Sequence, residues 1–324
     1  MKNLLFTSTL FLIVNFSFAQ TKIENDLTRD GLKGKVSFYS ETRYDLVERF
    51  VWSKNTYKYD EKGNVIEEIL YDAGDGSLID NITYKYDEKG NEIEKNWYNA
   101  DGSLNSKYTY EYDEKGNEIE SNVYNDDGSL SYKSTYKYDE KGNDIEENWY
   151  NADGSLNFNI TYKYDEKRNK IEKNVYNADG SLKYKETSKY DEEGNKIEEN
   201  YYNDDGSLRY KHTYKYDVKG NEIEENDYNA DGSLRVKDTY KYDVKGNNIE
   251  DKKYNTDGSL DDKFTYKYDV KGNMIELNYY NADGIFESIR TYKYEFDTTG
   301  NWIKKTWITD GKPEYLTERV IEYY

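Results

Sequence analysis

The sequence predicts an all-β protein, an antiparallel meander of tandem 26-residue repeats with two strands each. A Thr-Tyr-Lys-Tyr-Asp segment recurs at a spacing of 27 residues once and 26 residues thereafter, and every unit carries two tight-turn signals. With small variations, the segment begins at Thr56, Thr83, Thr109, Thr135, Thr161, Thr187, Thr213, Thr239, Thr265 and Thr291. A fixed period of this kind indicates an array in which each unit buries its surface against its neighbours.

Residues 1–19 have the pattern of a cleaved secretory signal peptide. Lys2 gives a positive start, an apolar run follows, and Ser17 and Ala19 supply a small-x-small cleavage site. The run is too short to serve as a membrane anchor. We therefore expect a protein exported to the periplasm, the outer surface or the extracellular space, without membrane insertion.

Composition restricts the partners. The chain has 66 acidic and 46 basic residues and a net charge of −20. Such a polyanion repels phosphate backbones and anionic lipids, which argues against nucleic acid as a partner, and it favours weak, diffuse cation binding. A chain this polar is often disordered, but 17% aromatic residues and strictly timed turns argue for a fold. Without cysteine, disulfides cannot stabilise it.

The array begins after a divergent segment, residues 20–55. We expect one opening strand near Val36 there, and at most a turn of helix between Lys22 and Leu32. The tandem repeats then occupy residues 56–301. Residues 302–324 read as a pair of capping strands that cover the far edge of the sheet.

Residues 129–154 show the typical unit. Turn signals at Asp139–Gly142 and Asn151–Gly154 fit a type I turn followed by a glycine with positive φ. The intervening segments are long enough for strands and too short for a helix with its connections. One extra residue in the first unit falls in the turn at Asp72–Gly76. The chain should therefore form about twenty strands, at two per unit.

Simple hairpin pairing predicts two faces. Tyr136 should oppose Glu146, and Tyr132 should oppose Tyr150. The predicted apolar face comprises Leu130, Tyr132, Tyr136, Tyr138 and Tyr150. The other face comprises Lys133, Thr135, Lys137, Ile145, Glu147 and Trp149. An apolar face of this size should be sheltered, so we expect the sheet to coil into a superhelix, an open spiral or a closed barrel with that face inward.

The repeated string Tyr-x-Tyr-Asp-x-x-Gly-Asn-x-Ile, followed by Asp-Gly, resembles the RHS or YD repeat. It is carried in one unit by Tyr136, Tyr138, Asp139, Gly142, Asn143, Ile145, Asp153 and Gly154. Members of that family are secreted or surface bacterial proteins, and large members wind strands into a hollow shell around a toxic domain. The unit here is longer and more regular, and we expect the array alone, without a toxin or a shell-closing domain. The resemblance implies the β architecture and an exported context, without a toxin.

Candidate catalytic chemistry is sparse, and we expect no enzyme, no cofactor and no metal site. His212 is the only histidine and occupies a position held by Ser134 in a sibling unit. Adjacent carboxylates such as Glu146 and Glu147 point to opposite faces of a strand. The spacing from Asp227 to Asp238 approximates a calcium-binding loop, but sibling units lack the first ligand, so coincidence is the better account.

An aromatic stripe is the one feature with binding potential. Its possible ligand-facing members lie at a single repeat position: Tyr136, Tyr162, Tyr214, Tyr240 and Tyr266. Such a ladder could stack sugar rings of an extended polymer. In a sheet poor in valine and leucine, the same tyrosines could instead form the core, and this is the interpretation we favour.

The function that fits these features is that of an exported, non-enzymatic β-repeat scaffold or binding protein, at the cell surface, with a glycan or a protein as ligand. The alternative is a shell-like carrier or immunity component associated with an RHS-type secretion system.

Overall fold

A computed structural model describes residues 26–324. The signal peptide predicted at 1–19 lies outside this range. One short helix, α1, spans Asp26–Arg29 and precedes 22 strands. The strands are β1 Val36–Asp45, β2 Phe50–Tyr59, β3 Val65–Tyr71, β4 Leu78–Tyr86, β5 Glu92–Asn99, β6 Leu104–Tyr112, β7 Glu118–Asn125, β8 Leu130–Tyr138, β9 Asp144–Asn151, β10 Leu156–Tyr164, β11 Lys170–Asn177, β12 Leu182–Tyr190, β13 Lys196–Tyr202, β14 Leu208–Tyr216, β15 Glu222–Asn229, β16 Leu234–Tyr242, β17 Asn248–Tyr254, β18 Leu260–Tyr268, β19 Met274–Tyr280, β20 Phe286–Phe296, β21 Trp302–Thr309 and β22 Lys312–Tyr323. Within the described range, no helix is long and apolar enough to cross a membrane.

The strands form one antiparallel meander that closes on itself. Each strand pairs with the strands before and after it, and β1 also pairs with β22 from Val36 opposite Tyr323 to Asp45 opposite Tyr315. The predicted all-β meander is therefore confirmed. Of the three expected forms, the closed barrel is the one observed. The C-terminal strands, expected to cap an open edge, instead pair with β1, so the ring has no open edge.

The barrel is wide, and its walls do not pack against each other. At about 4.8 Å per strand, a circular ring of 22 strands is at least ~34 Å across between backbones, and strand tilt widens it further. Every substantial contact between strands of residues 26–324 joins neighbours in the ring. The fold therefore has an interior face that lines a space and does not fill it with a single apolar core.

The two turn types lie at opposite ends of the barrel, because every strand is followed by a tight hairpin. In the Asp turn, Oδ1 of Asp139 accepts hydrogen bonds from the backbone N–H groups of Lys141 and Asn143, at 2.9 and 2.8 Å. Gly142 has a φ of 82° there, and Arg168 takes the same position in the next unit with a φ of 71°. The predicted turns with a positive φ at the fourth residue are confirmed.

Each strand that follows a turn also contains a β-bulge, and the bulges correct the predicted faces. Lys137 opposes Glu146 and Tyr138 opposes Asp144, so Ile145 is an extra, unpaired residue. A one-residue insertion moves all following side chains to the other face. The predicted pair Tyr136–Glu146 is therefore wrong.

Beyond the bulge, the register differs from the prediction by one residue. Tyr136 opposes Glu147, and Lys133 opposes Tyr150. Trp149 and Glu147 consequently share a face with Tyr136, whereas Tyr150 lies on the face of Lys133 and Thr135. A second bulge, at Asn157, leaves Tyr150 opposite Leu156 as predicted. The leucines thus lie on the lysine face and not, as we expected, with Tyr136.

In most units a tyrosine hydroxyl forms a hydrogen bond with the unit before it. The hydroxyl of Tyr138 donates to the backbone oxygen of Glu118, at 2.8 Å, beside the bulge of the preceding unit. The same bond joins Tyr86 to Val65, Tyr112 to Glu92, Tyr190 to Lys170, Tyr216 to Lys196 and Tyr294 to Met274. Tyr294 stands at the regular 26-residue spacing from Tyr268, so the two extra residues of β20, which come after it, do not disturb this bond. The last tyrosine of the repeat motif is thus an inter-unit clamp.

The small apolar core lies where the N-terminal segment crosses the Asp-turn end. Its buried members are Leu27, Leu32, Val36, Tyr39, Tyr59 and Val65. Oδ2 of Asp26 accepts from the N–H of Val65, at 2.7 Å, and Asn301 accepts from the N–H of Lys33, at 2.8 Å. Because these contacts reach both β3 and the turn before β21, the segment stabilises the place where the ring closes.

Candidate ligand surface on the inner face

The outer face of the barrel is nearly uniform from unit to unit. In most units it presents lysine, threonine and lysine on the first strand, and glutamate, asparagine and tyrosine on the second. Nζ of Lys85 lies 2.7 Å and Nζ of Lys107 2.8 Å from Glu94. Hydrogen bonds from these two ammonium groups lower the pKa of Glu94 to about 2. This face is a solvated ladder of ion pairs.

We assign the other face to the interior of the barrel, because its charged side chains are shielded from water. Burial raises the pKa of Glu92 and of Glu118, and burial lowers the pKa of Lys170. These residues share the face of Tyr136 and Trp149. On a concave surface side chains crowd together and displace water, which disfavours the charged form. We call this the inner face.

The five tyrosines predicted to face a ligand all lie on the inner face, half-buried. Neighbouring side chains engage most of their hydroxyls. Tyr266 donates to Oδ2 of Asp251 at 2.7 Å, Tyr162 donates to Glu147 and Tyr240 to Glu225, and Tyr136 shares a hydrogen bond with Ser134. Tyr214 stacks on His212. The tyrosine rings thus form a row along the inner wall of the barrel. Most of their hydroxyl groups bond to neighbouring side chains, and the rings border the interior space.

A second aromatic surface was missed by sequence reasoning. Trp149 lies between Tyr132 and Phe158, with ring centroids 6.1 and 5.4 Å apart. Asn151 and Asn157 help line a cleft of about 370 Å³ beside these rings. Tyr132 is 38% exposed. We had placed Trp149 on the opposite face, and the bulge at Ile145 is the reason that assignment was wrong.

The apolar character of that repeat position was the signal that could have revealed the surface. It holds Trp97, Val123, Trp149, Val175, Tyr201 and Tyr279 in six units, and Asp227 and Lys253 in two others. Residues of this kind belong on the sheltered face of a sheet. Assigning them to the face of Tyr136 would have required one extra residue in each hairpin, which is the bulge observed.

A larger cavity, of about 520 Å³, lies near the seam of the ring. Aromatic and charged side chains line it, among them Tyr57, Tyr84, Glu68, Lys95 and Arg319. Arg319 stacks on Trp302 at 3.4 Å from the ring centroid and bonds Glu41 through Nε at 2.9 Å. The guanidinium group of Arg319 is therefore already paired with Trp302 and Glu41. We regard this cavity as part of the region where β1 and β22 close the ring.

Variation between units is concentrated on the inner face. The position of Ser134 holds, in chain order, Ile82, Tyr108, Ser134, Ile160, Glu186, His212, Asp238, Phe264 and Arg290. The outer position next to it holds threonine in every unit, and the outer position of Glu146 holds glutamate from Glu67 to Glu276. Closure and strand pairing impose the same demands on every unit. These demands do not explain why the position of Ser134 differs in almost every unit.

The calcium-like spacing after Asp227 does not converge on one point. Asp231 accepts from the N–H and hydroxyl of Ser233, at 2.9 and 2.6 Å, inside the Asn turn. Asp227 lies on the inner face and bonds Arg235 at 2.9 Å. The two carboxylates have separate partners, as the interpretation of a chance spacing predicts.

No family model matches the chain, and no curated protein resembles it in sequence. Among solved structures, TcdB2-TccC3 is 12% identical, with a TM-score of 0.27, over 82% of this chain and 20% of that one. A porin-like protein from Bacteroides uniformis ATCC 8492 is 12% identical, with a TM-score of 0.30, over 90% of this chain and 99% of that one. The chain spans about a fifth of the length of TcdB2-TccC3. Superposition is poor in both cases and assigns no activity, so the likeness to RHS repeats rests on the repeated motif.

Proposed function

We propose that this protein is an exported, non-enzymatic barrel scaffold that binds an extended carbohydrate along its inner face. The observation that supports the proposal is the concentration of unit-to-unit variation at inner-face positions such as those of Ser134 and Trp149. A repeat that served only to build a wall would be free to vary on either side. A wall that presents a ligand surface keeps its outer ladder and diversifies what faces the ligand.

The chemistry of the inner face suits a polyhydroxylated ligand. Trp149 and Phe158 offer an aromatic surface, while Asn151 and Asn157 supply donors and acceptors beside it. Pockets of this composition, apolar with a few placed polar groups, are typical of small-ligand sites. Aromatic rings with wet surroundings bind without needing full burial. The tyrosine ladder continues the same surface around the ring.

A glycan array probed with residues 20–324 tests this proposal. We expect saturable binding to at least one polysaccharide class, and we expect Trp149→Ala and Phe158→Ala each to weaken it at least tenfold. Tyr176→Ala is the matched control, because Tyr176 is the equivalent outer-face tyrosine one unit later and does not line the cleft, so its removal should leave affinity unchanged. Absence of binding across the array, or an equal loss with Tyr176→Ala, contradicts the proposal.

Closure of the sheet favours one second candidate, a shell-like carrier or immunity component of an RHS-type system. A closed ring with unpacked walls could enclose a folded or unfolded polypeptide. Mass spectrometry of the native protein with a co-expressed polypeptide from the same operon distinguishes the two. A stoichiometric complex that persists with Trp149→Ala supports the carrier, and its absence together with glycan binding supports the scaffold.

A further inference from the structure

We propose that His212, Asp227 and Glu225 form a binding site for one divalent transition-metal ion, such as Zn²⁺, on the inner face. This inference does not depend on the carbohydrate ligand.

Strand pairing brings the three residues together. His212 on β14 lies directly opposite Asp227 on β15. Glu225 lies two residues before Asp227, so both carboxylates project from the same face of β15. Nδ1 of His212 is 4.0 Å from Oε1 of Glu225, and one potential ligand atom of each residue lies within 4.8 Å of the others. The chain's only imidazole thus faces the one aspartate at that repeat position.

Two of the ligand atoms have only each other as partners. Nδ1 of His212 and Oδ1 of Asp227 are both buried and in direct contact as an ion pair, and neither atom has a further hydrogen-bond partner within residues 26–324. Both side chains are only 17% exposed. A metal ion binds neutral imidazole in competition with a proton. Two buried ligand atoms that face each other in this way can therefore share a divalent cation in place of the imidazole proton.

The other neighbour of the imidazole is already occupied. Glu199 opposes His212 on β13, but it is 2.6 Å from Nζ of Lys196 and accepts from the hydroxyl of Tyr201 at 2.9 Å. The imidazole is therefore left to the carboxylates of β15. Arg235 holds the second oxygen of Asp227, at 2.9 Å, and orients that carboxylate as an outer partner of a metal ligand does.

Negative charge accumulates around the three residues. Asp238 opposes Glu225 on β16. Both carboxylates are half-buried on the inner face, beside Asp227. Carboxylates that are crowded and poorly hydrated destabilise one another. A divalent cation relieves that repulsion more effectively than a water molecule does.

The donor set selects the class of metal. One imidazole nitrogen with two carboxylate oxygens is typical of zinc and its first-row neighbours, whereas calcium and magnesium prefer oxygen ligands alone. Bonds of about 2 Å to zinc require ligand atoms roughly 3.3 Å apart. To meet that spacing, Glu225 would turn its flexible side chain toward Nδ1, and Nδ1 of His212 and Oδ1 of Asp227 would separate from their present contact. Three protein ligands leave a fourth position for water.

Calorimetry on tag-free, chelator-treated protein tests the site. We expect one Zn²⁺ per chain with a micromolar Kd, and no saturable heat with Mg²⁺ or Ca²⁺. His212→Gln and Asp227→Asn should each weaken zinc binding at least 50-fold. Asp251→Asn is the matched control, since Asp251 occupies the repeat position of Glu225 one unit later without an imidazole opposite.

The single histidine provides a second measurement. With one imidazole in the chain, the proton spectrum of tag-free protein has one histidine Cε1–H resonance, which Zn²⁺ should shift and saturate at one equivalent. A resonance that does not move, or tight zinc binding that survives His212→Gln in a folded variant, overturns the proposal. Circular dichroism of each variant establishes that it is folded.

Discussion

At the scale of single residues, the clamp tyrosine shows how a repeat motif serves the array. The hydroxyl of Tyr138 donates to the backbone oxygen of Glu118, next to the bulge at Ile119. Tyr138→Phe removes this hydrogen bond and keeps the ring. We expect a loss of about 1 kcal/mol in the free energy of unfolding, measured by urea denaturation.

Tyr150→Phe is the control for this change. Tyr150 lies on the outer face, where its hydroxyl makes no hydrogen bond within residues 26–324, so its removal should alter stability by only a few tenths of a kcal/mol. Equal effects of the two substitutions would show that the hydroxyl of Tyr138 is not a clamp.

Glu222 gives the protein a pH dependence of unusual sign. Burial, followed by the charges of Glu225 and Asp238, raises its pKa to about 7, from ~4.3 in an unfolded chain. Between those values the folded protein holds a proton that the unfolded chain has lost, so stability falls as the pH rises. Glu222→Gln should therefore stabilise the protein at pH 7.5, on the order of 1 kcal/mol after solvent screening, and have little effect near pH 4.5.

Urea denaturation at both pH values tests this expectation, with Glu276→Gln as the outer-face counterpart. The hydrogen bond from Lys267 lowers the pKa of Glu276, so its contribution is present above ~4.3 and is lost as the pH falls. That variant should lose stability at pH 7.5. A gain from Glu222→Gln that is the same at both pH values would refute the assignment.

At the scale of elements, the Asp turn is fixed by its backbone. Gly142 has a φ of 82°, and a Cβ there would meet nothing closer than 4.0 Å, so Gly142→Ala costs only the left-handed backbone strain, about 1 kcal/mol. Arg168 already bears that strain and donates through Nε to Asn143 at 2.8 Å. Arg168→Gly should therefore gain less than Gly142→Ala loses.

Thermal unfolding of the two variants, with Glu140→Ala as an exposed control in the same turn, measures both effects. If Gly142→Ala is neutral, the turn does not require a positive φ.

The turns and the bulges differ in how far sequence reveals them. The turn at Asp139, Gly142 and Asn143 can be recognised from the local sequence, because each residue type suits one position of the turn. Arg168 can be recognised there as the residue that replaces the turn glycine. No residue type marks a bulge at Ile145, because isoleucine fits a regular strand equally well. The faces were therefore predicted correctly from Tyr132 to Tyr138 of β8, and wrongly for Leu130 and for the part of β9 beyond its bulge. The contact between His212 and Asp227 went unseen for the same reason.

At the scale of the whole molecule, closure depends on an even number of strands. β1 and β22 pair antiparallel, which a meander allows only when the total is even. Deleting residues 137–162 removes two strands and rejoins the motif in phase, so we expect a folded, narrower ring. Deleting residues 139–151 removes one strand, makes the terminal strands parallel and leaves their edges unpaired, so we expect aggregation.

Size-exclusion chromatography with small-angle scattering tests both deletions. Two monomers of equal compactness would contradict the parity argument. Closure itself was left open by the sequence, because curvature is a sum of small twists over many strands and no single residue specifies it. The seam contacts of Asn301 with Lys33 join residues far apart in the chain and carry no local signature.

Because β1 and β22 pair, the break between the chain's two ends is equivalent to any other junction between neighbouring strands of the ring. The N–H of Tyr324 donates to the oxygen of Lys35 at 2.9 Å, so the two extremities of the ring are neighbours. A peptide joining them could replace any one hairpin as the point of interruption. Circular permutants opened at successive Asn turns, such as Asn151–Gly154, should retain the barrel. The new termini of each permutant would lie at a different place around the Asn-turn rim.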